Sequence, residues 1–322
     1  MTRNEIISRL EPYWGDFQNL MRKALHSDVA LLNGVNDGIL GHKGKMLRPM
    51  VCLLTASALG EVREDVVRLA AASELLHNAT LMHDDVADES NERRGEPTLV
   101  SLLGPTAAVL IGDFWLSRAV ELVFDCNCRD KVERLFSQTM SDLSEGEMLQ
   151  LQKAGTSDTD EEDYFTIIYN KTASLFVSSC VSAAISVGAS AEMQEAARQY
   201  ARCLGLAFQI KDDILDYAGT ADLGKPLGID IKEQKITLPL LGALKNSDRE
   251  QEIRRMVGDI HEHPENCEVV RRFVIDNGGV EYASRVLEDY IRKAEDALSE
   301  FPDGWAKDAL IFVARFNTYR NV

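Results

Sequence analysis

The pattern D-D-x-x-D occurs twice. Asp84, Asp85 and Asp88 lie in HDDVAD, and Asp212, Asp213 and Asp216 lie in KDDILD. Each motif follows a long apolar stretch and runs into a loop with basic residues. On a helix, aspartates four apart project from one face, and like charges so placed cost about 0.2–0.5 kcal/mol unless something neutralises them. Doing this twice points to a shared cation. Oxygen-only carboxylate ligands suit Mg²⁺, which takes octahedral oxygen and shares its sphere with water and phosphate. A calcium EF-hand is excluded, because it spreads its ligands along a longer loop with a central glycine.

Cations flank the motifs. GKMLRP supplies Lys45 and Arg48, the loop after the first motif Arg93 and Arg94, YNKTASLF Lys171, and LGKPLGIDIKEQK Lys225 and Lys235. Arginine and lysine beside a magnesium–carboxylate centre make a diphosphate receptor. As a set they imply two anions, one on the metals and one held directly by the cations.

The elements that must position these residues read as helices. VRLAAASELLHNATLMHDDV is apolar on most of its circumference, as a central buried helix requires. EEDYFTIIYNKTASLFVSSCVSAA and SAEMQEAARQYARCLGLAFQIKDDILDYAG read as long helices, and RVLEDYIRKAEDALSEF as a surface helix. Strand signals are nearly absent. Breaks fall at GHKGK, RRGEPT, GTSDTDEED, AGTADLGKPLG, HEHPEN and FPDGW, none long enough for a linker between domains. The expectation is an all-α fold with residues 1–322 as one domain, a bundle of roughly ten or more helices around a central cavity.

Bulk properties narrow the function. A formal charge of −17 over 322 residues argues against a general nucleic-acid binder, yet allows anionic substrates bridged by metal. The six cysteines lack the paired spacing of a zinc site and read as reduced thiols of a cytoplasmic protein. The start, MTRNEIISRLEPYW, has no apolar core of a secretory signal. From Thr172 to Ala191 the chain carries no charge over about the length of a membrane span. Its serines and alanines favour a buried helix instead, so no transmembrane span is expected.

Several long motifs in order resemble the trans-isoprenyl diphosphate synthases, the polyprenyl synthase family, over residues 40 to 240. GKMLRP is similar to the family's G-K-x-x-R-P, ELLHNATLMHDDVADESNERRGEPT to its first aspartate-rich region, and YNKTASLF to its K-T motif. GLAFQIKDDILDYAG with GKPLGIDIKEQKITLP resembles its second aspartate-rich region and lysine loop. Met46 stands where many members carry arginine, and Gln234 where glycine is common. Neither departure removes a residue assigned to the chemistry.

The resemblance implies the isoprenoid synthase fold, usually a homodimer, and a set of roles. Lys45, Arg48, His77 and Arg94 would bind isopentenyl diphosphate. Arg93, Lys171, Lys225 and Lys235 would hold the allylic diphosphate. Asp84, Asp88 and Asp212 would bind Mg²⁺, about three ions per site with substrate, supported by Asp85, Asp213 and Asp216. Thr172 and Gln209 would face the reacting carbons and, with Lys171, form the catalytic set. The implied reaction ionises the allylic diphosphate, adds isopentenyl diphosphate to the cation and eliminates a proton, in an apolar chamber that excludes water.

Product length would follow the depth of a tunnel beneath the first motif. Ala79 and Thr80, then Leu76, then Ser73 and Ala72, are expected on its descending face. No aromatic residue stands between Glu74 and Asp84. The expected product is therefore a long-chain, octaprenyl-like polyprenyl diphosphate of the kind used for quinone side chains, with transient membrane contact allowed at release. A short-chain farnesyl or geranylgeranyl synthase is the alternative. A class I terpene cyclase would mix Asn, Ser or Thr and Glu into its second metal motif, and a non-catalytic subunit would have lost one motif; both motifs are intact here.

Overall fold

A computed structural model describes residues 1–41, 44–93, 95–218, 227–245 and 247–316. These residues are mostly helical, as expected. Two compact units emerge. One comprises Met1–Gln138, Leu175–Arg198 and Leu298–Phe312; the other comprises Thr139–Ser174, Gln199–Ala297 and Val313–Val322.

In the first unit the centre is the helix Glu64–Ala87. Val66, Leu69, Ala70, Ala71, Ala72, Leu75 and Leu76 point in all directions around it and are all buried. Such a helix needs neighbours on every side. It packs against Pro105–Phe124, Leu47–Leu59 and Tyr13–Ala24. Small residues set one approach: a Cβ on Gly112 would lie 2.4 Å from His83 Nε2, so a larger residue there would displace the His83 ring. Glu64 and Asp65 occupy the first turn, where the helix dipole favours negative charge.

Two expectations change here. The long helix expected from Glu161 is helical through Ser186, but a π turn interrupts its α-helical winding. Glu161–Ile168 is followed by a π-helical turn, Tyr169–Ala173, and then by Ser174–Ser186. A π turn inserts an extra residue and re-aims the next helix, which periodicity alone cannot reveal. Ser178, Ser179 and Ser182 are buried and donate to carbonyls of their own helix, so their polarity is satisfied locally. No described helix is long and apolar enough to cross a membrane. The second change is a small antiparallel ladder after the first aspartate motif, pairing Glu92 with Pro97 and Arg93 with Glu96.

The second unit has its own core. Leu238–Leu244 is apolar throughout and buried at every residue. It lies against Gly279–Ala297, whose Ala283, Leu287, Ile291 and Ala294 recur at helical spacing. Ile210, Ile214 and Tyr217 of the long helix Ala191–Ala218 join this core, which leaves the aspartates between them on other faces.

Candidate active site

In the first unit, the helix Glu64–Ala87 ends inside the aspartate motif. Asp84 is half-buried in its last turn, Asp85 is buried, and Asp88 is the exposed C-cap. The chain then turns back through the ladder so that Arg93 Nε donates to Asp85 Oδ1 at 2.7 Å. Asp85 is thereby neutralised by a protein cation, while Asp84 and Asp88 remain one turn apart on one face. In the same unit, Lys45 Nζ is buried without a hydrogen-bond partner among the described residues. A buried ammonium in that state calls for an anion. The Lys45 carbonyl accepts from Arg3 Nη2 at 3.2 Å, so Arg3 anchors this loop, a role the sequence does not signal. The Arg48 guanidinium lies 4.8 Å over the Phe176 ring. His77 is half-buried. Arg94 and Lys225 lie outside the described residues.

The expected tunnel face divides in two. At about 100° per residue, Ser73, His77, Thr80, Asp84 and Asp88 form one stripe. Ala72, Leu76, Ala79 and His83 form another, turned by about 100° from the first. The second is the stripe whose His83 meets Gly112 and reaches Asp113 Oδ1 at 3.2 Å. Ala72, Ser73, Leu76 and Ala79 are buried, and Thr80 is half-buried with its hydroxyl donating to the His77 carbonyl.

In the second unit the predicted Thr172, Gln209 and Asp213 form a continuous hydrogen-bonded chain that ends on Tyr164, a residue that sequence reasoning misses. Thr172 Oγ1 donates to Gln209 Oε1 at 2.9 Å, Gln209 Nε2 donates to Asp213 Oδ1 at 2.8 Å, and Tyr164 Oη donates to Asp213 Oδ2 at 2.7 Å. The π turn carries Lys171 and Thr172, and the helix Ala191–Ala218 carries Gln209 and Asp213. Burial pushes the Asp213 carboxyl up to about 7 despite both donors. Asp216 is raised by burial too, against the pull of the Ile229 and Asp230 N–H groups on its two oxygens. Asp216 thus caps the short helix Ile229–Lys232. With Asp213 and Asp216 committed to protein donors, the exposed Asp212 is the member of the motif turned outward.

A cavity of about 160 Å³ lies within this unit, lined among others by Tyr164, Lys171, Gln209, Asp213, Asp230 and Lys235. Sequence reasoning misses Asp230. Burial and the neighbouring Asp213 and Asp216 carboxylates hold its carboxyl well above the usual range. Its only sequence signal is its place in GID, between a left-handed glycine and the lysine loop. Lys235 Nζ pairs with Glu233, and Lys171 Nζ pairs with Glu147. The departure at Gln234 also acquires a reason: its φ is +58°, the region where glycine is unstrained, and its side-chain amide donates to the Gly258 carbonyl. Met46 likewise has φ +47°.

These residues suit a hard divalent cation. The donors are carboxylate oxygens that raise one another's proton affinity, a repulsion that a cation relieves. Among the described residues no three His, Cys, Asp or Glu side chains already form a metal cluster. Mg²⁺ needs none, since it is usually held by one or two carboxylates with water and phosphate completing its sphere.

Residues 29–274 match the model of the polyprenyl synthetase family. The chain belongs to that family. It is 38% identical to the octaprenyl diphosphate synthase of Escherichia coli (strain K12) over 301 residues, covering 92% of each chain. It is also 37% identical to a short chain isoprenyl diphosphate synthase of Methanothermobacter thermautotrophicus over 281 residues, 85% of each. Among solved structures, a polyprenyl synthase from Caulobacter crescentus CB15, complexed with calcium and isoprenyl diphosphate, superposes with a TM-score of 0.92 at 34% identity, covering 100% of this chain and 98% of that one. The family and its all-α fold are as the motifs implied. Two relatives of opposite product length at nearly equal identity mean that overall similarity does not by itself rank chain length.

Proposed function

We propose that this member of the polyprenyl synthetase family is a prenyltransferase that condenses an allylic diphosphate with isopentenyl diphosphate to a long-chain all-trans polyprenyl diphosphate. The observation that carries the chemistry is the Thr172–Gln209–Asp213–Tyr164 chain beside a cavity lined by Lys171 and Lys235. It sets neutral oxygen acceptors next to cations, which suits a carbocation leaving a diphosphate. Asp84, Asp88 and Asp212 are the proposed Mg²⁺ ligands, with Asp85, Asp213 and Asp216 holding the surrounding shape. Bound Mg²⁺ would supply Lewis-acid stabilisation of the leaving diphosphate.

The chain's own residues do the rest. Lys171, Lys235, Lys225 and Arg93 bind the allylic diphosphate and offset charge that grows as the C–O bond breaks. Lys45, Arg48, His77 and Arg94 hold isopentenyl diphosphate; the unpartnered Lys45 ammonium supports this. Thr172 and Gln209 present oxygen dipoles to the developing cation. The apolar Ile167, Ile168 and Ile236 in the wall of the cavity would help to keep water from it.

The long product is supported by Ser73 and Thr80, small residues on the Asp84 stripe, and by Leu76 and Ala79 on the neighbouring one, neither of which carries a Phe, Tyr or Trp. A short product is the second reading, favoured by the similarity to the short chain synthase. Residues 1–322 are taken as one domain, because each unit draws on three separate stretches of chain and neither can be excised as a continuous segment. A homodimer is part of the reading; exposed Leu102 and Leu110, on the successive helices Leu99–Leu103 and Pro105–Phe124, offer an apolar face that a second copy would cover. Six free thiols support a reducing, cytoplasmic setting. The test is transfer of label from isopentenyl diphosphate into an acid-labile lipid, with Mg²⁺ and farnesyl diphosphate present. Incorporation supports the reading, and its absence rejects it.

A further inference from the structure

Lys171 does not stand alone in the second unit. Its Nζ pairs with a carboxylate oxygen of Glu147, on the helix Arg129–Thr156. Both side chains are mostly shielded, at 24% and 19% exposure, so solvent screens the pair weakly. The other Glu147 oxygen accepts from Gln150 Nε2 at 3.3 Å, and Gln150 lines the same cavity as Lys171. The helix comes close enough only because residue 146 is glycine. A Cβ there would lie 2.7 Å from Asn170 Cβ and 2.9 Å from Lys171 Cγ. Glu147 is thus fixed from one side by its own helix and set against the π turn that presents Lys171 and Thr172.

Unlike the aspartates assigned to Mg²⁺, Glu147 pairs with a cation assigned to the diphosphate, and so claims part of the charge that would otherwise fall on the substrate. Its presence needs a purpose, and the geometry offers one. We propose that Glu147 is a positioning residue for prenyl transfer: it holds the Lys171 ammonium against the π turn and shares its charge, so that diphosphate is bound firmly enough to ionise yet still released. This rests on the assignment of Lys171 to the allylic diphosphate. Without Glu147, the full Lys171 charge falls on the ligand in every state. Uniform tightening of that kind lowers KM without raising kcat, and it slows departure of pyrophosphate.

The test compares wild type with Glu147→Gln, which keeps an oxygen for Lys171 and the same volume but removes the charge. Inorganic pyrophosphate with Mg²⁺ is the binding probe, and KM is measured separately for farnesyl and isopentenyl diphosphates. The expected result is a pyrophosphate inhibition constant and a farnesyl diphosphate KM each lower by about tenfold, with a reduced kcat and an isopentenyl diphosphate KM within about twofold of wild type. A merely structural role would weaken both substrates together. If Glu147→Gln does not fold, Glu147→Asp, which withdraws the charge by one methylene, should move the same constants in the same direction by less. Unchanged pyrophosphate inhibition, weakened inhibition, or equal shifts for both substrates overturns the proposal. If wild type itself neither elongates nor responds to pyrophosphate, the assignment of the site fails instead.

Discussion

Tyr164 and Asp213, 49 residues apart in sequence, are joined by a buried 2.7 Å hydrogen bond from the phenol to Oδ2. Asp213 receives its second donor from Gln209, so the tyrosine helps to fix the amide proposed to face the reacting carbons. Tyr164→Phe leaves Oδ2 buried without that donor, at a cost of about 1–3 kcal/mol. Urea unfolding should report that loss, and kcat should fall more than either KM. A variant as stable and as fast as wild type would remove Tyr164 from the site.

The raised Asp213 carboxyl gives a signed pH dependence. In the unfolded chain it ionises near 3.8, but in the folded protein only near 7. Its contribution to stability is therefore complete below the lower value, declines as pH rises between the two, and is flat above. In EDTA, the Tm of wild type relative to Asp213→Asn should fall from about pH 4 to about pH 7. Mg²⁺ with pyrophosphate compensates the charged form and should shrink that fall. A difference that is flat, or that rises with pH, contradicts the assigned environment of Asp213.

Arg93 is shared between Asp85 and the proposed allylic diphosphate. Arg93→Gln should raise the farnesyl diphosphate KM by about tenfold, as loss of one charged contact does. The isopentenyl diphosphate KM should stay within about twofold of wild type. Equal effects on both would show that Arg93 acts through Asp85 and the fold rather than on the substrate.

The readable part of the site is the part written contiguously. Both aspartate motifs and the K-T pair are short strings whose spacing maps directly onto a helix face. Gln209 and Asp213 are four apart on one helix, so their bond is implicit in the pattern. Asp230 and Glu147 stay hidden in the sequence because their significance arises from packing: one from burial beside two other acids, the other from a glycine that lets a distant helix reach Lys171. The π turn is hidden for another reason, since it depends on one inserted residue that leaves the apolar run unchanged. The division of the tunnel face is legible in principle. A step of five residues turns a helix by about 140° from its starting face, so Ala79 and Asp84 never share one.

That division sharpens the test of length control. Ala79 is buried on the stripe that approaches Gly112, whereas Thr80 is half-buried on the Asp84 stripe. Ala79→Phe should shorten the product by several isoprene units while initial rates of isopentenyl transfer stay comparable. Sizing the dephosphorylated alcohols by reversed-phase chromatography gives the answer. An unshortened product would mean that the growing chain does not pass Ala79.

The most direct measurement is the product of the wild-type enzyme itself. Purified protein with Mg²⁺, farnesyl diphosphate and excess labelled isopentenyl diphosphate should yield one dominant long-chain all-trans polyprenyl diphosphate, and EDTA should abolish it. A farnesyl-primed reaction that stops at geranylgeranyl diphosphate would contradict the open tunnel. No incorporation would contradict prenyl transfer.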